Sequence, residues 1–95
     1  MKFKKINLTI TGCLGRMGQQ LIKTSKKDKK FKISSLTENQ KINKRIDGIK
    51  PELNNKNAFK ETDVIIDFTV PKCTLEVLKI AAKLKKRVVI GTTGF

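Results

Sequence analysis

Three glycines at positions 12, 15 and 18, within "ITGCLGRMGQQLI" (Ile10–Ile22), constrain this chain more than any other feature. They stand in a GxxGxxG register between two periodic segments. Before them, Ile6, Leu8 and Ile10 alternate with Asn7 and Thr9, which predicts a strand over residues 5 to 11. After them, Met17, Leu21 and Thr24, with Ile22 beside them, recur at helical spacing, which predicts a helix from Arg16 to about Ser25. A glycine turn between strand and helix can be only a tight turn, or it can let backbone amides at the helix start face a phosphate. The register alone leaves both open, because Leu14 and Met17 sit where the generic GxGxxG fingerprint has glycine.

The remaining segments repeat the alternation of strand and helix. "KKDKK" (26–30) is a polar connection, and "FKISSLT" (31–37) returns to strand character with Phe31, Ile33 and Ser35 on one side. Residues 39–62 are polar, contain Gly48, Pro51 and a double Asn, and are compatible with a short helix or an irregular excursion. "DVIIDFTV" (63–70) reads as a parallel strand covered on both faces and ended by Pro71. Thr74 is expected to cap a helix running to about Lys85. Leu75, Leu78 and Ala82 would form its stripe, Val77, Ala81 and Leu84 its flanks, and Lys79, Lys83 and Lys86 would face water. "RVVIGTTGF" is a strand leaving into another glycine turn. The order predicts an α/β fold, a Rossmann-like open parallel sheet with flanking helices, as one domain over 1–95.

Composition narrows the function classes. The 95 residues are 38% hydrophobic with five aromatics, all Phe, which suits a small folded core rather than a disordered tail. Cys13 and Cys73 stand far apart and histidine is absent, so neither a metal site nor a disulfide framework is expected, and no imidazole chemistry can be completed here. No apolar run approaches the roughly 20 residues that span a bilayer, and no cleavage-site pattern opens the chain. A cytoplasmic protein without a membrane partner is expected. The net charge of +14 invites a nucleic-acid partner, but 19 of the 22 basic residues are Lys, spread along the chain without interleaved aromatics. It is assigned to a solvated surface, with a basic nucleic-acid-binding protein as an alternative.

Context favours the phosphate reading of the loop. Glu38 closes the second strand 20 residues after Gly18, where an acid accepts hydrogen bonds from adenosine ribose hydroxyls. The ends "DFT" and "GTTG" fall on the same carboxyl edge of the expected sheet, so three loops meet at one crevice.

"GCLGRMG", "IDFTVP" and "VVIGTTGF" together resemble the amino-terminal domain of the dihydrodipicolinate (4-hydroxy-tetrahydrodipicolinate) reductase family, whose own loop is GxxGxxG. The resemblance covers nearly the whole chain, with the middle stretch poorest. It implies an NAD(P)H-dependent oxidoreductase of the diaminopimelate route to lysine, reducing a cyclic diacid in the cytoplasm. Carried over by position, Gly12, Cys13, Leu14, Gly15, Arg16 and Met17 would wrap the pyrophosphate, with Arg16 near the adenosine side. Glu38 would hold the ribose, Phe68 and Thr69 would line the groove, and Gly91, Thr92 and Thr93 would approach the nicotinamide.

Two departures bear on specificity. Asn39 stands where many members place a basic residue able to pair with the 2′-phosphate of NADP, and Lys41 or Lys44 would only partly offset Glu38, so of NADH and NADPH the chain is expected to lean to NADH. Val70 stands where many relatives carry a basic residue after the DFT. In the family, a second domain after the GTTGF segment binds the diacid through a histidine and a lysine motif and largely builds the tetramer. These 95 residues hold no such motif, so no catalytic residue is expected here, and neither activity nor a tetramer is expected of the chain alone. A stand-alone dinucleotide-binding module is the other alternative.

Overall fold

The computed structural model describes residues 5–69 and 71–91. Five parallel strands form one sheet in the order β3-β2-β1-β4-β5: β1 (Ile6–Thr11), β2 (Phe31–Glu38), β3 (Glu52–Leu53), β4 (Val64–Asp67) and β5 (Arg87–Ile90). Helix α1 (Arg16–Lys27) joins β1 to β2, α2 (Lys56–Phe59) joins β3 to β4, and α3 (Pro71–Leu84) joins β4 to β5. This is the Rossmann-like arrangement. The strand order reverses direction between β1 and β4, and there the loops leaving the strands open a crevice at the carboxyl edge.

Each face has its own core. On one, Ile10, Cys13, Ile22 and Leu36 pack under α1, with Leu21, Ile33, Ile46 and Ile49 around them. On the other, Phe59, Ile65, Val77 and Ala81 pack beneath α2 and α3. Among the described residues, no helix is long and apolar enough to cross a membrane.

Packing departs from simple periodicity in three places. In α1 the buried stripe is Gly18, Ile22 and Ser25, while Met17 is 50% exposed and Thr24 is exposed. The helix is rotated so that its glycine, not a methionine, meets the turn that follows β1. In α3 the buried residues are Thr74, Val77 and Ala81, with Ile80 and Leu84 beside them, whereas Leu75 is 54% exposed and Ala82 is exposed. The expected flank is thus the core. Thr74 is not a cap: the helix begins at Pro71, a residue suited to a first turn because it lacks an N–H. β4 stops at Asp67 rather than running to Val70, which lies outside the described residues.

The third departure is a bulge. Leu8 pairs with Ile33 but Thr9 pairs with Ser35, leaving Ser34 as an extra residue on β2. The side-chain alternation flips there, so Leu36 rather than Ser35 joins the α1-side core. Ser34 Oγ donates to the Leu8 carbonyl at 3.1 Å. Ser35 turns instead to the opposite face, where its hydroxyl lies 2.6 Å from Thr9 Oγ1 and donates to the Ala58 carbonyl. Thr62 Oγ1 bonds both Thr9 and Ser34. These four hydroxyls are tolerated inside because each finds a partner.

The middle stretch resolves into small pieces: an Ile46–Ile49 bridge, the two-residue β3 and the four-residue α2. Asn55 caps α2 by accepting the Ala58 amide at 2.8 Å.

Candidate functional site

Gly12 leaves β1 with φ of 67°, a conformation costly for residues with a side chain. Space forbids one as well, since a Cβ there would come within 3.0 Å of the Phe68 carbonyl oxygen and of Thr69 Cγ2. The Phe68–Thr69 lip therefore rests against the backbone of the first turn. At Gly18 a Cβ would overlap the Gly12 carbonyl, so this glycine lets α1 sit against the turn. Gly15 differs. Among the described residues only the Gly12 carbonyl oxygen lies near its would-be Cβ, at 3.4 Å, and the position is exposed.

Gly15 is the residue before α1, with no side-chain cap and no acid in the first turn. The first intrahelical acceptor, the Gly15 carbonyl, is taken by the Gln19 amide at 3.0 Å. The amides of Arg16, Met17 and Gly18 precede it in the first turn and have no acceptor within the helix. Together with the positive end of the helix dipole they suit an anion.

Two clefts meet over this turn at Gly15, Phe68 and Thr69. One, of about 310 Å³, also reaches Gly12, Glu38 and Asn39. The other, of about 300 Å³, continues past Arg16, Met17 and Gly18 to Gly91. At the first end the Glu38 carboxylate accepts the Leu14 amide at 2.8 Å and the Asn39 amide at 3.2 Å. Its oxygens retain lone pairs for further donors. At the second end Gly91 donates its N–H to the Asp67 carbonyl at 2.8 Å, and a Cβ on it would overlap the Phe68 ring.

The crevice thus gathers Gly12, Gly15, Arg16, Met17, Glu38, Phe68, Thr69 and Gly91 from the carboxyl ends of four strands, β1, β2, β4 and β5. Thr92 and Thr93 lie outside the described residues. Cys13 points inward and is fully buried, and its amide donates to the Thr37 carbonyl at 3.3 Å. Burial first, and then the Glu38 carboxylate, push its thiol up to about 11. The Leu14 side chain faces a separate cavity of about 430 Å³ between α1 and residues 44–47, floored by Ile22 and Ile46 and rimmed by Lys23, Lys26, Lys44 and Arg45. Lys44 is therefore on that rim, and neither it nor Lys41 lines the Glu38 cleft.

A fully buried carboxylate, Asp67, escaped sequence reasoning: its side chain accepts the hydroxyls of Thr11, Thr69 and Thr74. Its signal was an acid inside an apolar strand, where charge is costly unless bonded.

The chain matches the family described as "Dihydrodipicolinate reductase, N-terminus" over residues 6–95. The chain belongs to this family. The 4-hydroxy-tetrahydrodipicolinate reductase of Pelagibacter ubique (strain HTCC1062) is 72% identical over 92 residues, covering 97% of this chain and 36% of that protein. The protein of the same name from Buchnera aphidicola subsp. Acyrthosiphon pisum (strain Tuc7) is 44% identical over 106 residues, covering 97% and 38%. The chain therefore spans little more than a third of these family members' length. Aspartate semialdehyde dehydrogenase II of Vibrio cholerae, solved with ASA, shares the fold with a TM-score of 0.76 over 95% of this chain and 31% of that one, at 14% identity.

The family's dinucleotide fits the residues present. An open backbone cradle at Gly15, first-turn amides of Arg16, Met17 and Gly18 that have no acceptor within the helix, and an acid at the end of β2 are the donor and acceptor set that a diphosphate and a ribose require.

Proposed function

We propose that the chain is the dinucleotide-binding part of an NAD(P)H-dependent reductase that converts 4-hydroxy-tetrahydrodipicolinate to tetrahydrodipicolinate. The observation that carries this reading is the continuous groove from Glu38 to Gly91 across the exposed start of α1. The family membership and the relatives' name support the substrate. Bound cofactor would supply the hydride.

In this reading the amides of Arg16 and Met17 hold the diphosphate over the open backbone at Gly12 and Gly15, with the Arg16 side chain adding charge, while Cys13 and Leu14 shape the turn from behind. Glu38 accepts the adenosine ribose hydroxyls. Phe68 and Thr69 form the opposite wall, and Gly91, Thr92 and Thr93 flank the nicotinamide so that its hydride faces the substrate. The protein's part is orientation, since the cofactor carries the chemistry. The diacid itself would meet a second domain of a reductase of the relatives' length, working in the cytoplasm.

NADH is the preferred cofactor in this proposal. A 2′-phosphate would lie beside the Glu38 carboxylate and Asn39, in a cleft whose lining includes no basic residue among those described, while Lys44 and Arg45 rim another cavity. Titration of the chain with each cofactor, followed by nicotinamide fluorescence, tests both levels. Saturable NADH binding, tighter than NADPH binding, is the expected result. No binding by a folded sample overturns the reading, and tighter NADPH binding overturns the preference alone.

A further inference from the structure

Asp67 is fully buried and lines neither cleft, yet it bonds the end of β1, the Phe68–Thr69 lip and Gly91, three of the four segments around the groove; the fourth, at Glu38, is tied to Leu14 instead. Its Oδ1 accepts the Thr11 hydroxyl from the last residue of β1 and the Thr69 hydroxyl from the lip, the latter at 2.7 Å. Its Oδ2 accepts the Thr74 hydroxyl from the first turns of α3. Its main-chain carbonyl accepts the Gly91 amide beyond β5. Thr69 and Thr74 also approach each other, with their hydroxyl oxygens 3.3 Å apart.

Fold stability alone gives little reason for a carboxylate here, because well-packed apolar groups commonly replace buried charges at no cost. Anion binding gives less. A negative charge at the carboxyl edge of the sheet opposes a diphosphate held at the neighbouring turn. What the carboxylate supplies is fixed direction: two oxygens with several acceptor sites collect three hydroxyls from three elements at once.

We infer that Asp67 is a positioning residue for the nucleotide groove, holding the Phe68–Thr69 lip at one height against Gly12 through its bonds to Thr69 and Thr74. This rests on the reading that the groove holds NADH. Asp67 itself touches no cofactor. The lip is already within 3.0 Å of any atom added to Gly12, so a shift of a few tenths of an ångström would narrow or widen the diphosphate cradle.

The test measures NADH affinity and thermal unfolding in parallel for the wild-type chain and for Asp67→Asn, Thr74→Val and Thr74→Ser. Thr74 is buried and lines neither cleft, so its variants reach the cofactor indirectly, through the Asp67 carboxylate and the Thr69 hydroxyl that it approaches. NADH binding is expected to weaken about tenfold in Asp67→Asn and several-fold in Thr74→Val, at temperatures where both are folded. Thr74→Ser, which keeps the hydroxyl, is expected to bind as the wild type does. The Asp67→Asn and Thr74→Val effects should combine to less than their sum. Wild-type-like or tighter binding by a folded Asp67→Asn, as loss of a nearby negative charge alone would give, overturns the inference and leaves the cofactor reading standing. If Asp67→Asn does not fold, Thr74→Val decides, and equal affinity of the Val and Ser variants overturns the inference. No NADH binding by the wild-type chain overturns both.

Discussion

The Glu38 carboxylate accepts the Leu14 amide at 2.8 Å, so the acid that ends β2 is tied to the turn that follows β1. In the proposed reading, the ribose acceptor and the diphosphate loop are thereby set in one geometry before any ligand arrives. Glu38→Ala should remove both functions. Hydrogen bonds to charged groups contribute about 1.5–3 kcal/mol, so NADH affinity should fall at least tenfold, read by fluorescence titration. Glu38→Gln keeps an acceptor and removes the charge, and should narrow the gap between NADH and NADPH.

Gly18 and Gly15 make opposite predictions within one motif. A methyl at Gly18 would overlap the Gly12 carbonyl, and backbone cannot step aside as a side chain can. Gly18→Ala should cost about 2 kcal/mol or more, lowering Tm by roughly 10 °C. Among the described residues Gly15→Ala meets only one atom, at 3.4 Å, so Tm should hardly change, yet its methyl would stand in the groove and NADH affinity should drop. Calorimetry and titration on the same samples separate the two.

Gly91→Ala would drive a methyl into the Phe68 ring. A ring on a rotatable bond can swing away, so the fold should survive while the lip loses its shape. The expected signature is weakened NADH binding with a small Tm change. A Tm loss as large as that of Gly18→Ala would show that the ring is locked.

The Cys13 thiol titrates near 11 in the folded chain against an ordinary 9.0. The unfolded thiol ionises first, so the folded state holds more protons between these values and stability falls as pH rises from about 9 to 11. The stabilising contribution is fully present below pH 9. Compared with Cys13→Ala, the wild type should lose more stability across this window in denaturant titrations. A thiol reagent at pH 8 should modify the half-exposed Cys73 well before Cys13.

Much of this was legible in the residues. The strand before Gly12, the helix after Gly15 and the strand ending at Glu38 lie within two residues of their expected bounds, because each has a strong period and a glycine or charged boundary. The convergence of three loops follows from parallel strands, whose carboxyl ends share one edge. Periodicity failed where polar residues went inside. Thr74 is buried because Asp67 takes its hydroxyl, and it turns the face of α3 that Leu75 was expected to hold. β3 and α2 are too short for any period to register, and Asn55, which caps α2, stood in the sequence only as half of a double Asn. No alternation reveals an extra residue such as Ser34.

That extra residue also decides how β1 and β2 can be aligned. The hydroxyls of Thr9, Ser34, Ser35 and Thr62 satisfy one another in a single arrangement. Sliding β2 by one position would strand several of them in the interior, at about 1–3 kcal/mol for each unpaired group. Apolar residues alone would penalise such misalignment less sharply, because methyl groups accept any neighbour. The polar seam between the two strands therefore works as a key cut for one lock, and it sets the height at which the Gly12 turn and Glu38 face each other.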